Sequence, residues 1–161
     1  MNKNLLLILA VLILSCSDDG VNDEVYKYEF YENSDLSINE IEGSYMKYGI
    51  ISEGDKVVFK YTYIAEDEEL LADDEYAEFI YFEIDSNLNN FEIEGVDLIS
   101  AKTILTKSCF CFFSNDENKD VNPVGRISGE KISDNKWRID FDMTFYGEDN
   151  RAFETVFTLK Q

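Results

Sequence analysis

The sequence has no histidine, and its 161 residues include only 14 lysines and arginines, three cysteines, one proline and one tryptophan. Without an imidazole the chain cannot build a Ser-His-Asp or Cys-His nucleophile, an imidazole general base or a histidine-containing metal site. Catalysis is left with a carboxylate pair, as in glycoside hydrolysis, or an activated lysine. The 34 acidic residues guarantee that some carboxylate pair lies close, so their abundance does not argue for an enzyme, and none is expected. Cations are scarce enough that the net charge is −20. Phosphate neutralisation needs clusters of Lys and Arg, so a nucleic-acid partner is not expected, whereas a basic protein or a divalent cation would be drawn in.

Long apolar runs are also absent, with one exception near the start. Lys3 lies in a short polar stretch, and an unbroken apolar run of ten residues follows from Leu5 to Leu14. Ten residues fall short of the roughly 20 needed to cross a hydrocarbon core as a helix, which points to a cleaved signal peptide. The run closes on Ile13-Leu14-Ser15-Cys16 and continues into Ser17-Asp18-Asp19. The first four residues resemble the bacterial lipobox, with Leu14 bulkier than the residue often found there. The acidic pair resembles the export signal that follows the lipidated cysteine in Bacteroidota-type surface lipoproteins. The resemblance implies cleavage before Cys16, acylation of that cysteine and an outer-membrane address facing the cell exterior, with Ser17, Asp18 and Asp19 as the sorting signal. An ordinary secretory signal, and a spacer with no sorting role, are the plain alternatives. Removing residues 1–15 takes away one cation, Lys3, so the charge moves from −20 to −21. Residues 16–24 then read as the lipidated cysteine and an acidic, self-repelling tether, and residues 25–161 as one domain.

From Val25 onward apolar residues recur at a period of two, which argues strands. Trp137, Ile139, Phe141, Met143 and Phe145 alternate with Lys136, Arg138, Asp140, Asp142 and Thr144, giving one buried and one wet face. Turn residues from Gly147 to Asn150 precede a second alternation through Phe153, Thr155, Phe157 and Leu159, so residues 136–160 are expected to form a hairpin. Further strands are expected at 44–51, 56–65, 77–85, 89–94, 98–113 and 124–133, and one short helix within 66–76. Eight or nine strands with Pro123 as the single proline imply an all-β fold, either an antiparallel sandwich or a small barrel. Ile41-Glu42-Gly43-Ser44-Tyr45 loosely resembles the opening Gly-x-Trp strand of lipocalin-like proteins, with Tyr45 in place of Trp.

Three features could carry chemistry. Cys109-Phe110-Cys111 lies in a strand-like run. In a regular strand its Cα atoms would stand about 6.6 Å apart, at the edge of disulfide geometry, so buried reduced thiols are expected. Export to an oxidising compartment favours the alternative of a strained disulfide, and a soft-metal site would be incomplete with two thiolates. Asp116, Asn118, Asp120 and Asn122 place oxygen ligands at alternate positions and raise a weak calcium candidate. The EF-hand template fails, because Val121 stands where Gly is needed and Ile127 where Glu is needed; a solvated turn is the simpler reading. A second acidic stretch comprises residues 66–69 with Asp73, Asp74 and Glu75. Tyr45, Tyr48, Tyr61, Tyr63 and Tyr81 could form a platform for glycans, although strand cores use tyrosine at the same spacing, and Trp137 belongs to the core face. The reading is a membrane-anchored lipoprotein whose non-catalytic β-domain binds a surface partner or joins an envelope assembly. The alternatives are an inhibitor or immunity-type lipoprotein that captures a basic hydrolase, and a small carboxylate-based hydrolase.

Overall fold

The structure is a computed structural model that describes residues 24–66, 75–116, 118, 119 and 121–160. The signal peptide, Cys16, Ser17, Asp18, Asp19, nearly all of the tether, most of the 66–75 acidic stretch with its expected helix, and Asp120 lie outside those residues. The described residues form nine strands and one short helix: β1 (Val25–Glu40), β2 (Lys47–Glu53), β3 (Lys56–Ile64), β4 (Ala77–Asp85), β5 (Asn90–Glu94), α1 (Asp97–Ser100), β6 (Ile104–Ser108), β7 (Val124–Ser133), β8 (Lys136–Phe145) and β9 (Asp149–Leu159). They join one sheet in the order β5-β7-β8-β9-β1-β3-β4-β6, with β2 paired to β1 as well. The sheet folds over on itself as a sandwich-like all-β domain and does not close, so the barrel alternative is corrected. It is also not purely antiparallel, because Glu29 and Phe30 of β1 pair in parallel with Thr158 and Leu159 of β9.

The C-terminal hairpin forms as its alternation dictates. Every apolar residue of β8 from Trp137 to Phe145 is buried, and β9 pairs back from Phe145↔Asp149 to Lys136↔Thr158. The turn is tighter than expected. Tyr146 and Gly147 both take positive φ, and Asp149 and Asn150 already belong to β9. Across the sandwich, β3 and β4 present Phe59 and Phe82, stacked 4.6 Å apart, while Trp137 meets Phe59 edge-on at 5.6 Å. Aromatic side chains thus carry this core, each worth about 3–5 kcal/mol on truncation to Ala.

β1 has a bend that changes what it covers. Tyr28 and Phe30 face the main core, but between Tyr31↔Val58 and Ser34↔Lys56 one extra residue enters β1, with Asn33 in the left-handed region at φ 50°. A one-residue bulge swaps the faces of every later side chain. Leu36 and Ile38 therefore turn to the other side of the sheet, where they pack with Val58 and Tyr81 in a second small core. β2 follows the same bend and pairs with this outer half of β1, so the two form a flap over the back of β3 and β4. Gly49 lets the flap lie close, since a Cβ there would sit 3.0 Å from the Tyr81 ring. β3 and β4 are consequently buried on both faces.

Three other expectations are corrected. The 44–51 strand begins only at Lys47, because residues 41–46 make the β1–β2 turn with Gly43 at φ 76°; the lipocalin-like segment is a turn here. The 98–113 strand is instead α1, a turn and β6, which stops at Ser108. The apolar alternation there had a different cause: Leu98 and Ala101 pack inward from α1, while Leu105 packs inward from β6.

Candidate functional site

The first candidate is the Cys-Phe-Cys segment, and here the expectation of buried thiols is overturned. The chain leaves the strand at Ser108, the Cα atoms of Cys109 and Cys111 approach to 5.1 Å, and the two form a disulfide. Cys111 is exposed and Cys109 half-buried, so neither fills a core. The bend is what supplies the shorter Cα separation that a regular strand denies. The segment is fastened on both sides. Upstream, β6 pairs with β4; downstream, Phe113 packs on Tyr45 at 6.0 Å and the Asn115 amide donates to the Gly43 carbonyl at 3.1 Å. Between these points Phe110 and Phe112 stand 84 % and 90 % exposed. Contiguous apolar side chains left in water on a braced loop mark a contact site more often than a scattered exposed leucine does.

Register locates this hook. Val25 pairs with Ile64, Ile64 with Ala77, and Ala77 with Ser108, so the four residues form one row across β1, β3, β4 and β6 at the end of the sheet. The chain enters the domain at that row, and Val25, Tyr26 and Ile64 are exposed there too.

Two carboxylates of β4 are buried. Glu78 receives the Arg151 guanidinium through Nε at 2.7 Å and through Nη2, and also the Tyr76 hydroxyl. Beside it Lys107 pairs with Asp149 at 2.6 Å. Glu78 and Tyr76 make the Arg151 side chain hold its proton still more firmly, and burial with the Glu78 hydrogen bond pushes the Tyr76 phenol up. Glu83 accepts the Leu36 amide at 2.8 Å and the Lys102 ammonium at 2.7 Å, and that ammonium also donates to the Leu36 carbonyl at 2.7 Å. This clasp ties the flap to β4. Five residues apart on a strand, Glu78 and Glu83 point to opposite faces, so they do not converge on one bond. Lys60 stands over the rings of Phe79 and Tyr81, at 5.0 and 5.6 Å, and burial lowers its pKa. Those ring faces favour the ammonium, which works against its use as a neutral nucleophile.

A cleft of about 180 Å³ lies between the flap, the α1–β6 turn and the segment before β7, lined by Ile38, Ile104, Leu105 and Phe145 with Lys47 and Lys102. The Thr103 hydroxyl borders it, fully buried and without a partner. Lys102 is already engaged by Glu83, so the recess offers apolar burial rather than a pair of titratable groups.

The remaining expectations place as follows. Asn118 donates to Asp116 Oδ1 through both its backbone and side-chain amides, at 2.9 and 3.0 Å, which is turn chemistry. Among the described residues no three Cys, Asp or Glu side chains converge on a point that could hold a metal ion. The tyrosines do not share a platform. Tyr61 and Tyr81 are buried on opposite faces of the sheet, Tyr45 packs on Tyr146, and Tyr48 lies on the flap. Sequence reasoning missed the Glu83 clasp and the exposure of the two phenylalanines. A Cys-x-Cys with Phe at its centre and after it was the available signal for the hook. Compared with known proteins, the chain matches no family model, no curated protein and no solved structure.

Proposed function

We propose that this protein is a lipoprotein acylated on Cys16 and held at the outer membrane, facing the exterior, with a non-catalytic β-domain that binds a surface partner or joins an envelope assembly. The observation that supports the reading best is where the fold begins. Among the described residues the first strand opens at Val25 and the first fully buried side chain is Phe30. The lipobox-like Ile13-Leu14-Ser15-Cys16 and the acidic residues after it precede that strand in sequence, in the order an anchor, a tether and a domain require. The opposed, fully engaged carboxylates of β4 support a binding role over hydrolysis. Mass spectrometry of the mature protein tests the anchor: acyl chains on an N-terminal Cys16 are expected, and Cys16→Ser should leave the membrane fraction. Normal processing and anchoring of Cys16→Ser would refute it.

Capture of a basic hydrolase is the second reading, and one observation favours it. Lys56, Lys102, Lys107, Lys119, Arg126, Arg138, Arg151 and Lys160 each lie within reach of a carboxylate of this same chain. The cations are spent internally, so the excess of negative charge is presented outward.

A further inference from the structure

The disulfide hook and the point where the chain enters the domain share one end of the sheet, and an anchored protein must hold that end close to its membrane. We propose that Phe110 and Phe112 are a membrane-contact wedge that inserts into the interfacial region of the lipid leaflet holding the Cys16 acyl chains and fixes the orientation of the domain on its anchor. The inference rests on the proposed acylation of Cys16.

Four observations carry it. The row Val25–Ile64–Ala77–Ser108 sets the hook three strands from the entry point, about 14 Å at ordinary strand spacing. Eight residue-to-residue steps separate Cys16 from Glu24 and can span at most about 29 Å, so the whole row lies within reach of the bilayer. Among the described residues Phe110 and Phe112 are the two most exposed of the large apolar side chains, and Val25, Tyr26 and Ile64 extend the apolar character along the row. Finally, the disulfide, β6 and the Phe113–Tyr45 contact hold the loop in place, so insertion orders little that is not already ordered.

The cations nearest the hook are committed, Lys107 to Asp149 and Arg151 to Glu78. Apolar burial of the rings is therefore the driving contact.

The test replaces one ring by an indole. Phe110→Trp adds a second tryptophan to a chain whose only other, Trp137, is buried and serves as the fold control. In acylated protein reconstituted into phosphatidylcholine vesicles, the introduced indole should shift to the blue and be quenched by spin-labelled lipid. With the mature Cys16→Ser chain, partition onto phosphatidylcholine vesicles should drop about tenfold on Phe110→Ser and about a further tenfold when Phe112→Ser is added. Unchanged, unquenched emission in vesicles that hold the acylated protein overturns the wedge while leaving the anchor intact. Absence of an acyl chain overturns the anchor, and the Cys16→Ser partition then decides the wedge by itself. A blue shift that grows with protein concentration and needs no lipid would show self-association through the rings and overturn the membrane assignment.

Discussion

Glu83 and Lys102 form an ion pair with unequal ends, and the inequality predicts which deletion hurts. The Glu83 side chain is 7 % exposed and the Lys102 side chain 39 %. Lys102→Met would strand a buried carboxylate with the Leu36 amide as its remaining side-chain partner and would also take a donor from the Leu36 carbonyl. Losing one member of a buried pair costs about 3–5 kcal/mol when the charge left behind is buried, and the partial exposure of Lys102 places this case near the lower figure, about 3 kcal/mol. Glu83→Gln removes the other charge. The amide oxygen still accepts from Leu36, and the freed ammonium can turn to water, so the cost is about 1 kcal/mol. The double variant strands nothing and should cost about 2 kcal/mol, less than the sum of the single costs by about 2 kcal/mol. Urea unfolding of the four proteins reads these differences as midpoint shifts at constant slope. Equal costs for the two single changes, or strict additivity in the double, would refute the claim that burial of the carboxylate sets the energetics of the flap.

Alkaline pH should unfold the domain through its buried phenols. Burial pushes Tyr81 up from 10.0 to about 12 and raises Tyr61 as well. A raised phenol stabilises the fold fully below the unfolded pKa and loses that stability as pH climbs toward the folded one. Tyr81 should thus withdraw about 3 kcal/mol between pH 10 and 12, seen as a last step of phenolate absorbance, after the exposed tyrosines have ionised, that coincides with unfolding; ionisation of every phenol in a still-folded domain would contradict this. For the disulfide, no thiol should react before reduction, even in denaturant. Reduction should lower stability by only about 1–2 kcal/mol because the bridge closes so short a span; two thiols titrating in the unreduced protein would refute the bond. If the acidic surface captures a basic partner, its association rate should fall with added salt more than its dissociation rate rises, since exposed charges are screened beyond about 8 Å at physiological ionic strength. An isolated partner that is neutral or acidic would end that reading.

The sequence alone determined the parts of this protein that depend on local alternation. β8 was legible to the residue because one face is wet and one buried, so polar and apolar positions separate cleanly, and β9 was legible from the same alternation except for Asp149 and Asn150 at its start. β3, β4 and β7 were legible from their apolar content and the turns that flank them, and the all-β class followed. The lipobox-like stretch is a purely local signal as well. Tertiary structure decided what alternation does not encode. β1 could not be bounded, because the bulge at Asn33 reverses its parity and sends one half to the main core and the other to the flap. The parallel contact between β1 and β9 joins the two ends of the domain, a pairing on which neither strand's own pattern bears. The end of β6 at Ser108 was invisible because Phe110 and Phe112 continue an apolar pattern while facing water. Their exposure, and the Cys109–Cys111 disulfide, follow from the bend that carries the chain off the sheet edge and back to Tyr45. That bend is set by contacts between residues far apart in sequence, and so only the folded chain reveals it.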